Sequence, residues 1–418
     1  MSVNLHQPTR RQVLLGAGVL FAWAHLPKLA LAENRDPRLL VVVLRGALDG
    51  LAAVAPVGDP NWLRLRGDHA LRLDGSIRAV PLNNFFALHP AMPNLYRLYQ
   101  AGQATIVHAA ATPYRARSHF DGQDVLESGY PEPGHIETGW LNRALAALEP
   151  AGQVAARGGS ALAVGPVTPL VVRGPAPIQS WTPSRLPVAS DDSILRLLDL
   201  YRHTDPALAR VIESQIGLAA IVGAGPMEKP RDNDPKAPLI GPARVRAFFA
   251  ETAGAAARLM AQPNGPRVGA LGYEGWDTHA DEGPIDGRLA ALLGALDGAL
   301  AAAESAMGDA WRETVIAVIT EFGRTALING TQGTDHGTAT VALLVGGALK
   351  GGRVIADWPG VREADLFQGR DLKPTVDLRA VLKGVLRDHL RAGDDALASR
   401  IFPGSSSVKP LPGLVVTS

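Results

Sequence analysis

Two stretches of the chain are apolar or β-branched at every position, 39–44 (LLVVVL) and 315–320 (VIAVIT). Unbroken runs of this length predict strands buried on both faces, as in a central parallel sheet. Less uniform runs at 105–110 and 268–273 also read as strands, and another apolar stretch at 341–346 precedes the segment 352–354. Elsewhere the apolar positions shift to helical spacing, at 96–101, 191–202, 207–218, 243–262, 287–306 and 376–390. Proline and glycine recur through 131–143 and 166–187, which read as surface connections. Residues 224–242 hold five prolines among mixed charges, the best linker candidate. Length alone allows two or three domains at roughly 150 residues each. The pattern nonetheless favours one large α/β domain.

The residues just past each strand carry the chemistry. In open α/β sheets, ligands sit beyond the carboxyl ends of parallel strands. The run 39–44 leads into a loop with Asp49, although an Asp-Gly pair is also an ordinary turn former. After 105–110, the loop gathers Arg115, Arg117, Ser118, His119 and Asp121 within seven residues. A Ser at a helix start is usually an N-cap, yet the free N–H groups there also suit an anion. The strand 268–273 runs into Asp277 and His279, which face the same way if the segment is extended and so suit one metal ion. The run 315–320 stops at Glu321, and a glycine-rich loop then presents Asp335 and His336. Singly each group is ambiguous. Together they mark a metal or anion site at one edge of a sheet.

Composition narrows the chemistry. With 46% hydrophobic and 19% charged residues, the chain is an ordinary globular protein. Residues 1–32 contain Arg10, Arg11 and Lys28 and no acid, so the remainder carries 38 basic and 40 acidic groups of the chain's 41 and 40. Near-neutrality suggests neither a nucleic-acid partner nor an anionic membrane. Cysteine is absent, so any metal must be held by His, Asp and Glu. Arg10-Arg11, the apolar segment 13–24 and Ala30-Leu31-Ala32 read as a twin-arginine signal with an A-x-A cleavage site. The apolar segment is short of the ~20 residues of a stable membrane span. A twin-arginine translocase is then a partner during export, and the mature protein, 33–418, is periplasmic or secreted.

The stretches VVVLRGALDGL, LHPAMPNLYRL, RARSHFDGQ, GYEGWDTHAD, VITEFGRT, DHGTA and DLKPTVDLRAVL span most of residues 39–390. Through them the chain resembles the DUF1501 family of exported proteins, a branch of the alkaline phosphatase/sulfatase-like superfamily. The resemblance implies a three-layer α/β/α sandwich around a mainly parallel sheet, with a metal site at the strand C-terminal edge. It implies that Asp49 is the metal-binding Asp after the first strand and that Ser118 lies near the position of the nucleophile. By the same resemblance Asp277 and His279 look like a metal pair, Glu321 replaces an Asp-His pair, and His336 looks like the late His ligand. Asp121 and Asp335 complete the candidate ligand set.

The expectation is a metal-dependent hydrolase of a small phosphate or sulfate ester, holding one or two divalent ions, zinc or manganese first. Ser118 would attack, Arg115 or Arg117 would clamp the anion, and His119 would act as general acid. The alternative is an exported binding or assembly protein that keeps the fold without the chemistry.

Overall fold

Hydrophobic runs decide the middle of the sheet. In chain order the elements of the computed structural model are β1 (Arg38–Leu44), α1 (Gly50–Ala53), β2 (Val54–Ala55), α2 (Trp62–Arg66), β3 (Val80–Pro81), β4 (Ala87–Leu88), α3 (Pro93–Gln100) and β5 (Ala104–Ala111). There follow α4 (His119–Ser128), α5 (Trp140–Leu148), β6 (Ala161–Val164), β7 (Ile178–Trp181), α6 (Pro242–Ala261), β8 (Val268–Tyr273), α7 (Arg288–Met307) and β9 (Thr314–Thr320). The last are β10 (Thr340–Val345), β11 (Arg353–Ile355), β12 (Val376–Asp377), α8 (Leu378–Leu390) and the short α9 (Asp394–Ala396). The structure describes residues 35–148, 160–165, 167–183, 197–213 except 199 and 203, and 242–416. The export segment and nearly all of the 224–242 linker candidate lie outside the described residues, as do parts of the helices expected at 191–202 and 207–218.

The main sheet has the order β11-β5-β10-β9-β1-β8-β6-β7, with β12 added beside β5. Only β10 runs against its neighbours, β5 and β9; the other pairs are parallel. All seven residues of β1 are buried. Because side chains alternate along a strand, Leu40, Val42 and Leu44 enter one core and Leu39, Val41 and Val43 the other. The first core is completed by α3, α6 and α7, and the second by α4, α5 and α8. The result is the expected three-layer α/β/α sandwich. Each such buried side chain contributes about 1.5–3 kcal/mol, which is why these unbroken apolar runs sit centrally. Residues 37–418 group as one compact unit.

The segment Arg288–Glu313, which contains α7, is long and apolar enough to cross a membrane, but half of its most apolar window is buried. Leu289, Leu293, Leu296 and Leu300 belong to the first core.

Register places the site. Leu44, the last residue of β1, pairs with Tyr273 at the end of β8 and with Thr320 at the end of β9. Three chain segments therefore leave the sheet side by side. Since β10 is reversed, it starts on that same edge, so the whole connection 321–339 stays there.

Candidate functional site: a histidine–aspartate centre

Asp277 and His279 leave β8 in an extended loop, held tightly against the turn after β1. Gly46 has φ +118°, and a Cβ there would lie 2.4 Å from the Asp277 nitrogen. Only glycine allows that approach. On the same edge, β9 hands over to Glu321, and the loop before β10 brings back Asp335 and His336. The fourth contributor is α4, whose first residue is His119.

Three imidazoles meet at Asp277. Its Oδ1 lies 3.0 Å from His279 Nε2, 3.3 Å from His336 Nε2 and 3.4 Å from His119 Nε2. Among the described residues, His119, Asp277 and His336 offer ligand atoms all within 4.8 Å of one another. His279 joins through His336, with the two Nε2 atoms 2.9 Å apart. The opposite ring nitrogens are each occupied. His119 Nδ1 is 2.8 Å from Glu321 Oε1, His279 Nδ1 is 3.1 Å from Asp335 Oδ1, and His336 Nδ1 is 2.8 Å from the Arg117 carbonyl oxygen. An oxygen acceptor at Nδ1 fixes the proton there and leaves Nε2 as a bare lone pair. Three ring nitrogens then face one carboxylate oxygen, an arrangement that suits a cation between them. His119 Nε2 is moreover buried without a hydrogen-bond partner. Histidines backed by carboxylates or carbonyls are the usual form of metal-binding imidazoles, so the residues present fit a divalent ion.

Electrostatics follow the same division. The hydrogen bond to Glu321 raises the pKa of His119. Burial lowers that of His336. Burial pushes the Asp277 carboxyl up, but the Arg324 guanidinium, 2.7 Å from Oδ1, holds it below the ordinary range. Glu321 is fully buried, yet donors from His119, Gly46 and Gln123 outweigh burial and keep its pKa low.

Several expected roles change. Glu321 stands behind His119: Oε1 accepts from His119, Gly46 N (2.9 Å) and Gln123 Nε2 (3.2 Å), and Oε2 is 2.8 Å from Thr320 Oγ1. Oε1 therefore has no acceptor position left, while the one proton of the Thr320 hydroxyl is shared between Oε2 and the Leu44 carbonyl at 2.7 Å. His119, expected as a general acid, is the group that faces the cluster. Asp49 is outside it, buried against Arg66 at 2.6 and 3.1 Å and accepting from Leu51 N and Ala52 N as the N-cap of α1. Asp121 is also outside, its Oδ2 accepting from the Tyr114 hydroxyl at 3.1 Å. Asp335 orients His279.

The two arginines expected to clamp an anion are committed elsewhere. Arg115 donates to the carbonyls of Thr112 and Tyr114. Arg117 donates to the fully buried Asp371 at 2.6 and 2.8 Å. What Arg117 supplies is its carbonyl, aimed at His336 from a left-handed backbone with φ +63°. Ser118 occupies the N-cap position of α4, but its side chain makes no capping hydrogen bond. Arg324 is not among the residues that the sequence marks; it is fully buried, bonded to Asp277, Thr334 and the Gly46 carbonyl. Its place in VITEFGRT is the available signal.

The chain matches, over residues 89–401, the family described as "Protein of unknown function (DUF1501)". No curated protein matches it. Among solved structures it is similar to a protein of the alkaline phosphatase superfamily from Vibrio parahaemolyticus, at 11% identity and a TM-score of 0.35, covering 78% of this chain and 64% of that one. A phosphonate monoester hydrolase of Agrobacterium radiobacter is 12% identical with a TM-score of 0.34, covering 76% and 70%. A sulfatase from a Pseudoalteromonas species is 13% identical with a TM-score of 0.34, covering 83% and 68%.

Proposed function

The chain belongs to the DUF1501 family, and from its histidine–aspartate centre we propose that it is an exported, metal-dependent hydrolase of phosphate or sulfate esters. The observation that carries this reading is the convergence of three Nδ1-anchored imidazoles on Asp277. His119, His336 and Asp277 would hold the ion, with His279 beside them. A nitrogen-rich donor set suits zinc, with manganese next. When bound, such an ion supplies a Lewis acid for the ester oxygen and lowers the pKa of a neighbouring hydroxyl or water.

The chain's own groups do the rest. Glu321 keeps the His119 proton on Nδ1, and Asp335 and the Arg117 carbonyl do so for His279 and His336. Ser118 precedes His119 at the start of α4, its side chain free of any capping role, and is the proposed attacking oxygen. The N–H groups of the first turn of α4 favour the negative charge of the ester. The ester class itself rests on the sequence resemblance. Residues 8–32 would direct export through the twin-arginine route, placing the mature chain in the periplasm or outside the cell.

One observation favours the alternative of a binding or assembly protein: neither Arg115 nor Arg117 turns its guanidinium to the cluster. Assays of zinc- and manganese-loaded protein against aryl phosphates, phosphodiesters and aryl sulfates separate the two readings. Turnover that disappears in Ser118→Ala while bound metal stays constant is expected for the hydrolase. Metal-loaded protein inert on all three classes would favour the binding protein, and turnover that survives Ser118→Ala would remove Ser118 from the attack.

A further inference from the structure

Two acidic strand ends lie next to each other on this edge, Asp49 after β1 and Asp277 after β8, and a second ion would need the first of them. We infer that the chain binds a single divalent ion, and that the guanidinium of Arg66 permanently fills the Asp49 position. The inference rests on the metal reading of His119, Asp277 and His336.

Asp49 is held by four donors. Its Oδ1 accepts from Leu51 N (3.0 Å), Ala52 N (3.2 Å) and Arg66 Nη2 (3.1 Å), and Oδ2 from Arg66 Nη1 (2.6 Å). Three of these donors crowd Oδ1, and Oδ2, engaged by Arg66, belongs to a side chain only 1% exposed. The Arg66 side chain is fully buried, and Nη2 also reaches the Thr325 carbonyl at 3.2 Å. Displacing it would strand a buried cation, so an incoming ion meets a large barrier there.

The surroundings already balance their charge. Glu282, fully buried, takes the Thr278 hydroxyl at 2.7 Å. Burial, with Asp49 adding to it, pushes its pKa up, against the pull of Arg66 and Arg324. Arg324 links the turn after β1, through the Gly46 carbonyl, to Asp277 Oδ1. Paired catalytic ions sit about 3.5–4 Å apart and share ligands. Here one buried guanidinium holds Asp49 and another Asp277, and Oε1 of Glu321 already takes three donors.

Native mass spectrometry and elemental analysis of the full chain, loaded with zinc and dialysed, test this directly. One equivalent per chain is expected, retained in Asp49→Asn and lost in His336→Ala. Two equivalents in the wild type, or an equivalent lost in Asp49→Asn, would overturn the inference. No metal in the loaded wild type would overturn the metal reading itself, and the inference with it. Should Asp49→Asn fail to fold by circular dichroism, the wild-type stoichiometry decides alone.

Discussion

Asp49 and Asp277 follow strands that pair in register, yet they end in opposite states. The Asp49 side chain is 1% exposed and locked by Arg66, whereas that of Asp277 is 42% exposed and ringed by imidazoles. The histidines divide the same way. In His89 and His108, one ring nitrogen meets a backbone carbonyl and the other accepts a backbone N–H, so neither is available. His119 has one nitrogen on Glu321 and the other orphaned. What sets the cluster histidines apart is an Nε2 turned to Asp277, and residue type with strand-end position does not reveal it.

The sharpest way to break this comparison is to remove one histidine of each kind. His119→Ala should weaken zinc binding by more than about 100-fold, beyond the cost of losing a supporting group. His108→Ala should leave zinc affinity unchanged while lowering stability. Calorimetric titration with zinc, alongside thermal denaturation, checks both, and equal zinc affinities in the two variants would refute the division.

Acid separates them next. Burial drops the pKa of His108 to about 4, against 6.5 for the free side chain. Its folded value is depressed, so the associated stability is present above the unfolded pKa and is lost as pH falls from about 6.5 toward about 4. The loss amounts to about 3 kcal/mol. Urea denaturation across this window should show a shallower pH dependence in His108→Gln than in wild type; identical slopes would rule out that titration.

The smallest effect probes the shell behind the cluster. Glu321→Gln keeps the shape but weakens the anchor of His119, and zinc affinity should fall by about 10- to 100-fold. An unchanged affinity would mean that His119 needs no carboxylate.

Much of this is legible in the sequence. The runs at β1 and β9 announce strands buried on two faces, and Asp277, His279 and His336 do meet at one edge. The departures share a cause. Whether Asp49 has a free lone pair depends on Arg66, and their pairing is a matter of tertiary packing. His119 and Glu321 both belong to the candidate set, but which one faces the cluster depends on side-chain direction. Arg324 escapes notice because a cation after a strand normally reads as solvated, and its burial requires Asp277 and Thr334 together.

The reversed strand β10 bears on when the centre comes into being. Because 321–339 leaves and re-enters the sheet at one edge, β9 and β10 can bring Glu321, Arg324 and His336 together as a local unit. His119 and Asp277 are distant in sequence and arrive only when β5 and β8 have docked. Contacts of such long sequence separation form late in folding. An unfinished chain thus does not yet hold His119, Asp277 and His336 together.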